Sequence, residues 1–322
     1  MSSCVIFGGS GFIGAHLARR LLATKRFSYI HLADQRVSPL SGDERVGSSI
    51  TDVRKAIPLD LLRDPPEWIF NLAAVHREPG HEPIEYFETN LAGAENVTDY
   101  AEAVGCRNIY FTSSIAVYGA AGTPTDESSP ICPVSPYGAS KYPAELLHQR
   151  WLAKYPSRRL VICRPGVVYG AGDPGNILRM IRAIRRGYFA YPGSPGIHKS
   201  YGYIEGLLDS IEFTMARDEH FLCYNYVEAP TEPLGALVVH IKNHLCSQTP
   251  VFAIPPQLLL PAATLISMFT KGRGAIHPMR VRKAARPTHI MPTVLKNLGF
   301  QWRFDFKSSL VDWQQRSPED FE

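Results

Sequence analysis

Short runs rich in β-branched and aromatic residues recur along the first half of the chain and alternate with segments of helical spacing. CVIFG from Cys4 precedes FIGAHLARRLLAT from Phe12, and YIHLAD follows from Tyr29. WIFNLAA from Trp68 leads into a helical stretch from about Ile84 to Val104, then NIYFTSS from Asn108, a helix from about Tyr137 to Lys154, and RLVICRP from Arg159. This alternation predicts an α/β architecture, a doubly wound parallel sheet with helices on both faces. After Arg164 the pattern weakens, and Gly, Pro and Tyr crowd GVVYGAGDPGN and FAYPGSPGIHKSYGY. The chain therefore divides into residues 1–165, the sheet domain, and residues 166–322. The second part reads mainly as a smaller C-terminal lobe over the carboxyl ends of the strands, with some segments returning to the core. VFAIPPQLLLPAATLISMFTKG, from Val251, has roughly the length of a membrane span. Pro255, Pro256, Gln257 and Pro261 interrupt it, so a helix packed on the C-terminal lobe is expected, without membrane contact.

Composition changes this picture little. With 322 residues, 45% hydrophobic and 20% charged, the chain has the make-up of a globular protein with a large core. A formal charge of +4 is too mild to indicate nucleic acid and suits an anionic small molecule. The six cysteines lie far apart, without the paired spacing of a zinc site or the density of a disulfide scaffold, as expected for reduced thiols in the cytoplasm. MSSCVIFGG lacks a basic segment followed by a long apolar one, so no secretory signal is expected ahead of the glycines.

FGGSGFIG, from Phe7, is the first stretch with specific chemistry. Gly9, Gly11 and Gly14 fit G-x-G-x-x-G, while Gly8, Gly11 and Gly14 fit a second spacing, G-x-x-G-x-x-G. Between a strand and a helix, such glycines let bare backbone approach a pyrophosphate, and the amides at the helix start, around Phe12 and Ile13, face its charge. This is a Rossmann-type dinucleotide site. Asp34 ends YIHLAD twenty positions after Gly14. Its carboxylate suits the ribose hydroxyls of NAD and repels the extra phosphate of NADP, whereas nearby Arg36 would welcome that phosphate. NAD is the expected cofactor, with NADP left open.

YGASK, Tyr137 to Lys141, puts a phenol and an ammonium on one helix face. A free tyrosine titrates near ~10, and a neighbouring cation favours its phenolate, which would then move a hydroxyl proton. The hydroxyls of Thr112 to Ser114 end a strand at the same sheet edge.

In this order GGSGFIG, Asp34, NLAA at Asn71 to Ala74, Asn90 in TNLAGAENV, FTSSIAVYG, YGASK, RPGVVYG and HKSYGYIEG resemble the extended short-chain dehydrogenase/reductase family. The specific branch is that of NAD-dependent epimerases and dehydratases acting on nucleotide-linked sugars. The resemblance implies Tyr137 as general acid/base, Lys141 as the residue that lowers its pKa and holds the nicotinamide ribose, and Ser114 as hydroxyl partner of the substrate oxygen. It places Ser49 and Ile50 against adenine, and Ala73, Ala74 and Asn90 along the cofactor. Asn176 and Lys199 fall where the family contacts the substrate's diphosphate or nucleotide. Three departures stand out. Ile115 and Ala116 replace the Asp-Glu pair of the dehydratases, which argues against dehydration. Val167 replaces an asparagine of sugar epimerases. Lys199 replaces an arginine, exchanging a two-pronged grip for a point charge.

Weaker signals complete the reading. Arg179, Arg182 and Arg186 recur at helical spacing and read as a solvated face. Asn176 opens the same helix, where it is expected to cap as well as to touch substrate. HREPGHEP, from His76, holds two histidines and two glutamates, yet its prolines and glycine make it a substrate-facing loop, with His76 a candidate contact and no metal expected. The resulting expectation is an NAD-dependent epimerase at carbon 4 of a nucleoside-diphosphate sugar, serving surface polysaccharide precursors. The alternatives are a nucleotide-sugar 4-ketoreductase, a reductase for an apolar alcohol, and a non-catalytic dinucleotide sensor. The resemblance also implies a homodimer pairing through the helices near Ile84 and Tyr137.

Overall fold

The computed structural model describes residues 2–38, 40, 42–78, 80–173, 175–269 and 278–322. In chain order the elements are β1 (Ser3–Phe7), α1 (Phe12–Ala23), β2 (Tyr29–Asp34), β3 (Val46–Ile50), β4 (Trp68–Asn71), α2 (Pro83–Ala103), β5 (Asn108–Thr112), β6 (Ala121–Thr125), α3 (Pro136–Ala153) and β7 (Arg159–Pro165). They continue as β8 (Val167–Tyr169), α4 (Asn176–Arg185), β9 (Ala190–Pro192), β10 (Tyr201–Tyr203), α5 (Ile204–Met215), β11 (Phe221–Tyr226), α6 (Leu234–His244), β12 (Phe252–Ile254), α7 (Pro256–Phe269), α8 (Pro278–Ala285), β13 (Thr288–Ile290), α9 (Thr293–Asn297) and α10 (Phe306–Arg316).

Seven strands form one parallel sheet in the order β11-β7-β5-β4-β1-β2-β3. Side chains alternate across a strand, and here both faces are buried. Cys4 and Ile6 of β1 enter one core, with α1, α4 and α5, while Val5 and Phe7 enter the other, with α2 and α3. Val161 and Cys163 of β7 divide from Leu160 and Ile162 in the same way. The strand order reverses between β1 and β4, so a crevice opens there at the carboxyl edge.

The expected strands and helices are present, α2 and α3 within a residue of their anticipated starts. Two strands of the sheet were not anticipated. β3, VGSSI, is a polar edge strand with little apolar signal. β11, FLCYNY, sits inside the Gly- and Pro-rich half yet pairs with β7 over six residues, returning the chain to the sheet. The stretch from Val251 forms the short strand β12 as well as the helix α7. No helix among the described residues is long and apolar enough to cross a membrane.

A buried polar network fixes α3 to the strand ends. Glu145 of α3, fully buried, accepts hydrogen bonds from Arg164 Nε at 2.9 Å and Nη2 at 2.6 Å, and from the Ser113 hydroxyl at 2.5 Å. Arg164 Nη1 donates to the Tyr118 hydroxyl at 2.8 Å, which donates to Asn225 Oδ1 at 2.9 Å. One network thus joins α3, β7, β11 and the end of β5. Removing one partner of a buried pair strands the other charge and costs about 3–5 kcal/mol, whereas replacing both with apolar groups costs much less. Arg164→Met is therefore expected to lose about 3–5 kcal/mol in urea denaturation. Adding Glu145→Leu to Arg164→Met should recover part of that loss.

Candidate active site

The glycine turn between β1 and α1 lies at the reversal of the sheet. Gly8 has φ +80°, a left-handed conformation that favours glycine, and a Cβ there would stand 2.8 Å from the Ala73 nitrogen. A Cβ on Gly14 would stand 2.3 Å from the Gly8 carbonyl oxygen, so the start of α1 approaches the turn as bare backbone. The cap residue Gly11 offers no side chain to the helix start. Phe12, Ile13 and Gly14 thus open a helix whose positive end faces the crevice, a cradle that fits a pyrophosphate.

Asp34 stands at the end of β2 beside the glycine turn. Its Oδ2 accepts the Ser10 N–H at 3.0 Å and its Oδ1 the Arg36 N–H at 3.1 Å, tying the β2 end to the glycine turn. The Arg36 guanidinium, largely exposed, reaches back to the Ser10 carbonyl at 3.4 Å. Ile50 pairs in register with Asp34 and is exposed at the sheet edge, as an adenine-facing side chain would be. The Ser49 hydroxyl, in contrast, is held between His31 Nε2 at 2.9 Å and Thr51 Oγ1 at 2.8 Å. Ala73 and Ala74 follow β4 beside the glycine turn. Asn90 is buried and engaged: Oδ1 accepts the Val75 N–H at 2.9 Å, and Nδ2 donates to the Val75 carbonyl at 3.0 Å and the Ser140 hydroxyl at 2.8 Å. It holds the loop after β4 against α3.

Ser114, Tyr137 and Lys141 meet at the carboxyl edge of β5. Ser114 caps a short 3-10 turn, Ile115–Tyr118, its Oγ accepting the Ala116 N–H at 3.1 Å. Ser135 caps α3 by accepting the Gly138 N–H at 3.2 Å. Gly138, unremarked in YGASK, permits the close packing of helix and turn: a Cβ there would lie 2.3 Å from the Ala116 carbonyl oxygen. The Tyr137 residue is partly exposed, yet the protein around its hydroxyl pushes the phenol up to about 12. The adjacent Ser114 hydroxyl pulls it down, and the Glu78 charge pushes it up. Lys141 is buried, and its ammonium lies 4.3 Å from the centre of the Phe111 ring. Burial lowers it to about 7, partly opposed by the Glu145 charge. It has no hydrogen-bond acceptor among the described residues, so its donors remain available to the hydroxyls of a ligand.

The loop from His76 supplies an unanticipated residue beside Tyr137, Glu78. Its Oε1 accepts the Tyr137 N–H at 3.3 Å, and its Oε2 lies 3.2 Å from the Lys283 ammonium. An acidic residue in a loop gave no hint of partners 59 and 205 positions away. His76 is an exposed residue of this loop, yet the protein around its ring, then the Arg77 charge, lowers its pKa. Among the described residues no cluster has the make-up of a metal site. Asn176 does not cap α4: Gly175 is the cap residue, and Asn176, already helical, accepts Arg179 Nη2 at 3.3 Å. Arg179, Arg182 and Arg186 are exposed, as a solvated face requires. The Lys199 ammonium donates to the Lys283 carbonyl at 2.8 Å and to the Arg286 carbonyl, at the end of α8. Burial, with Lys283 nearby, lowers Lys199 to about 8.

The Lys141 shift has a consequence for stability. A lysine at about 7 when folded and 10.5 in the open chain penalises folding in full below pH 7, and the penalty fades as pH rises between those values. In ligand-free protein, Lys141→Met should therefore melt above the parent at pH below 7, with the gap closing toward pH 10.5. Thermal unfolding across that range is the check.

The model of the NAD dependent epimerase/dehydratase family matches residues 4–220. An Escherichia coli O157:H7 protein, N-acetyl-alpha-D-glucosaminyl-diphospho-ditrans,octacis-undecaprenol 4-epimerase, is 30% identical over 92% of this chain and 89% of its own length. UDP-glucose 4-epimerase 3 of Oryza sativa subsp. japonica is 30% identical over 59% of this chain and 55% of its own. The solved structure of UDP-glucuronic acid 4-epimerase from Bacillus cereus in complex with NAD shares the fold, with a TM-score of 0.79, 16% identity, and coverage of 99% of this chain and 100% of that one. With its glycine turn, its Ser-Tyr-Lys constellation and these relatives, the chain belongs to the NAD-dependent epimerase/dehydratase family.

Proposed function

We propose that this protein is an NAD-dependent 4-epimerase acting on a sugar carried by a diphosphate, in the cytoplasmic synthesis of surface polysaccharide precursors. The juxtaposition of Ser114, Tyr137 and Lys141 beside the glycine cradle carries this reading. Relatives that epimerise carbon 4 support it. NAD, held by the glycine turn, Asp34 and Lys141, would supply the hydride acceptor and donor for carbon 4.

The chain's residues handle the proton and the geometry. Tyr137 accepts the proton of the carbon 4 hydroxyl and gives it back, while Ser114 orients the oxygen. With a phenol pushed up to about 12, positive charge must favour the phenolate, and Lys141 supplies it when protonated. The glycine turn and the start of α1 hold the pyrophosphate, Lys141 the ribose, and Asp34 the adenosine hydroxyls. Residues 166–322 form mainly the substrate lobe, segments such as β11 and α5 returning to the sheet, with Asn176 and Lys199 toward the diphosphate end and His76 a further substrate contact. Lys199 acts there through the charge it places beside α8. The absence of an Asp-Glu pair at Ile115 and Ala116 argues against dehydration. We read the protein as a homodimer through α2 and α3.

The diphosphate carrier has two readings. A nucleoside is the habit of the wider family. A polyprenol is favoured by one observation: the relative aligned over 92% of this chain acts on an undecaprenol-linked sugar, whereas the rice UDP-glucose epimerase aligns over 59%.

Incubation with UDP-glucose, UDP-N-acetylglucosamine and polyprenyl-diphosphate-N-acetylglucosamine, without reductant, should yield a 4-epimer from at least one. Tyr137→Phe should lose about 10²–10⁴-fold in turnover yet still bind NAD. Parent-level turnover by that variant, or a product formed only when NADH is consumed, would contradict the assignment. Asp34→Ala should shift cofactor preference toward NADP, since it removes the repelling carboxylate and leaves Arg36; titration with both dinucleotides measures the shift.

A further inference from the structure

Charge is distributed very unevenly along this chain. Pro233 to Phe304, a run of 72 residues, contains nine lysines and arginines and neither aspartate nor glutamate. The run carries +9, while the remaining 250 residues carry −5. Within it, the 28 residues from Asn243 to Thr270 bear no charged side chain. They include β12 and α7, and basic α8 packs against α7. Four prolines between Pro250 and Pro261 keep this apolar stretch from forming one membrane-crossing helix.

Three described apolar side chains of this unit are exposed. Phe252 is 68% exposed, Leu258 67% and Met279 46%. Isolated exposed apolar residues are ordinary. These three share a unit with exposed Arg282, Lys283 and Arg286. Arg282 and Arg286 have no carboxylate partner among the described residues. Lys283 pairs with Glu78, whose other oxygen accepts the Tyr137 N–H. The unit therefore borders the candidate active site.

We propose that β12, α7 and α8 form a peripheral docking surface for an anionic phospholipid bilayer. The Arg282 and Arg286 guanidinium groups, without carboxylate partners among the described residues, complement anionic headgroups, and Phe252, Leu258 and Met279 enter the headgroup boundary beside them. A soluble polyanion such as nucleic acid would engage the basic groups but give no use to the exposed apolar ones. Docking through this unit would set the substrate opening close to a lipid-linked sugar, which deepens the polyprenol reading. The docking itself is measured without turnover, so its failure and the failure of the epimerase reading are distinct.

The test is cosedimentation of the full chain with vesicles of phosphatidylcholine alone or mixed with phosphatidylglycerol. Binding should require the anionic lipid and weaken with salt. Arg282→Glu with Arg286→Glu should weaken it about tenfold or more. Phe252→Ser with Leu258→Ser, both exposed positions, should weaken it also at salt concentrations that screen the charges. Tyr137→Phe should bind vesicles like the parent. The proposal is overturned if the parent fails to bind anionic vesicles at low salt, or if the variants bind as it does. It is equally overturned if the apolar pair instead proves to hold two copies of the chain together, seen as a dimer-to-monomer change in size-exclusion chromatography without any loss of vesicle binding.

Discussion

The Glu145–Arg164 ion pair sets the geometry on which the site depends. Tyr137 and Lys141 stand on α3, whereas Ser114 follows β5, and nothing in the local conformation of either element fixes one relative to the other. Glu145 lies one helical turn beyond Lys141 and is gripped by Arg164 from β7 and by Ser113, the immediate neighbour of Ser114. Two charges removed from water are a poor source of net stability, but with both carboxylate oxygens hydrogen-bonded they tolerate only one arrangement. Gly138 then lets the helix settle onto the Ala116 carbonyl, and a hydroxyl, a phenol and an ammonium share one edge of the sheet.

Burial gives this constellation its chemical character. It drives Tyr137 up to about 12 and Lys141 down to about 7, so each side chain is held away from its charged form. Glu78 accentuates the first effect and Glu145 opposes the second. Charge brought by a ligand changes that balance more strongly here than in water, because little solvent screens it. The site is thus electrostatically responsive to occupancy, a property suited to a proton that must leave and return during one visit of the sugar.

Much of the fold was legible in the sequence because apolar runs and helical periods report burial directly. β1, β2, β4, β5 and β7 are nearly continuous apolar strands of a sheet covered on both faces, and the glycines after β1 mark a turn whose geometry excludes Cβ atoms. β3 was silent because an edge strand buries little, and β11 because its run lay among turn residues. At the site, the proximity of Tyr137, Lys141 and Ser114 followed from spacing and strand order. Other side chains act through partners that no local pattern discloses. Asn90 clamps the Val75 backbone, Lys199 ties down the end of α8, and Glu78 reaches both Tyr137 and Lys283. Asn176 shows the limit of position-based reasoning: it stands one residue inside the helix it was expected to cap.

From a stretch of 72 residues without a carboxylate, Lys283 reaches Glu78 at the edge of this site. The chemistry at the opposite, buried end is tested most directly by the fate of the hydrogen on carbon 4. With substrate deuterated at that carbon and turned over in ordinary water, the epimer should retain its deuterium, because the hydrogen of carbon 4 would leave and return as hydride without exchange, while only the hydroxyl proton passes through Tyr137. Loss of the label to solvent would mean that carbon 4 is deprotonated and not oxidised, and the roles given to Ser114, Tyr137 and Lys141 would be wrong.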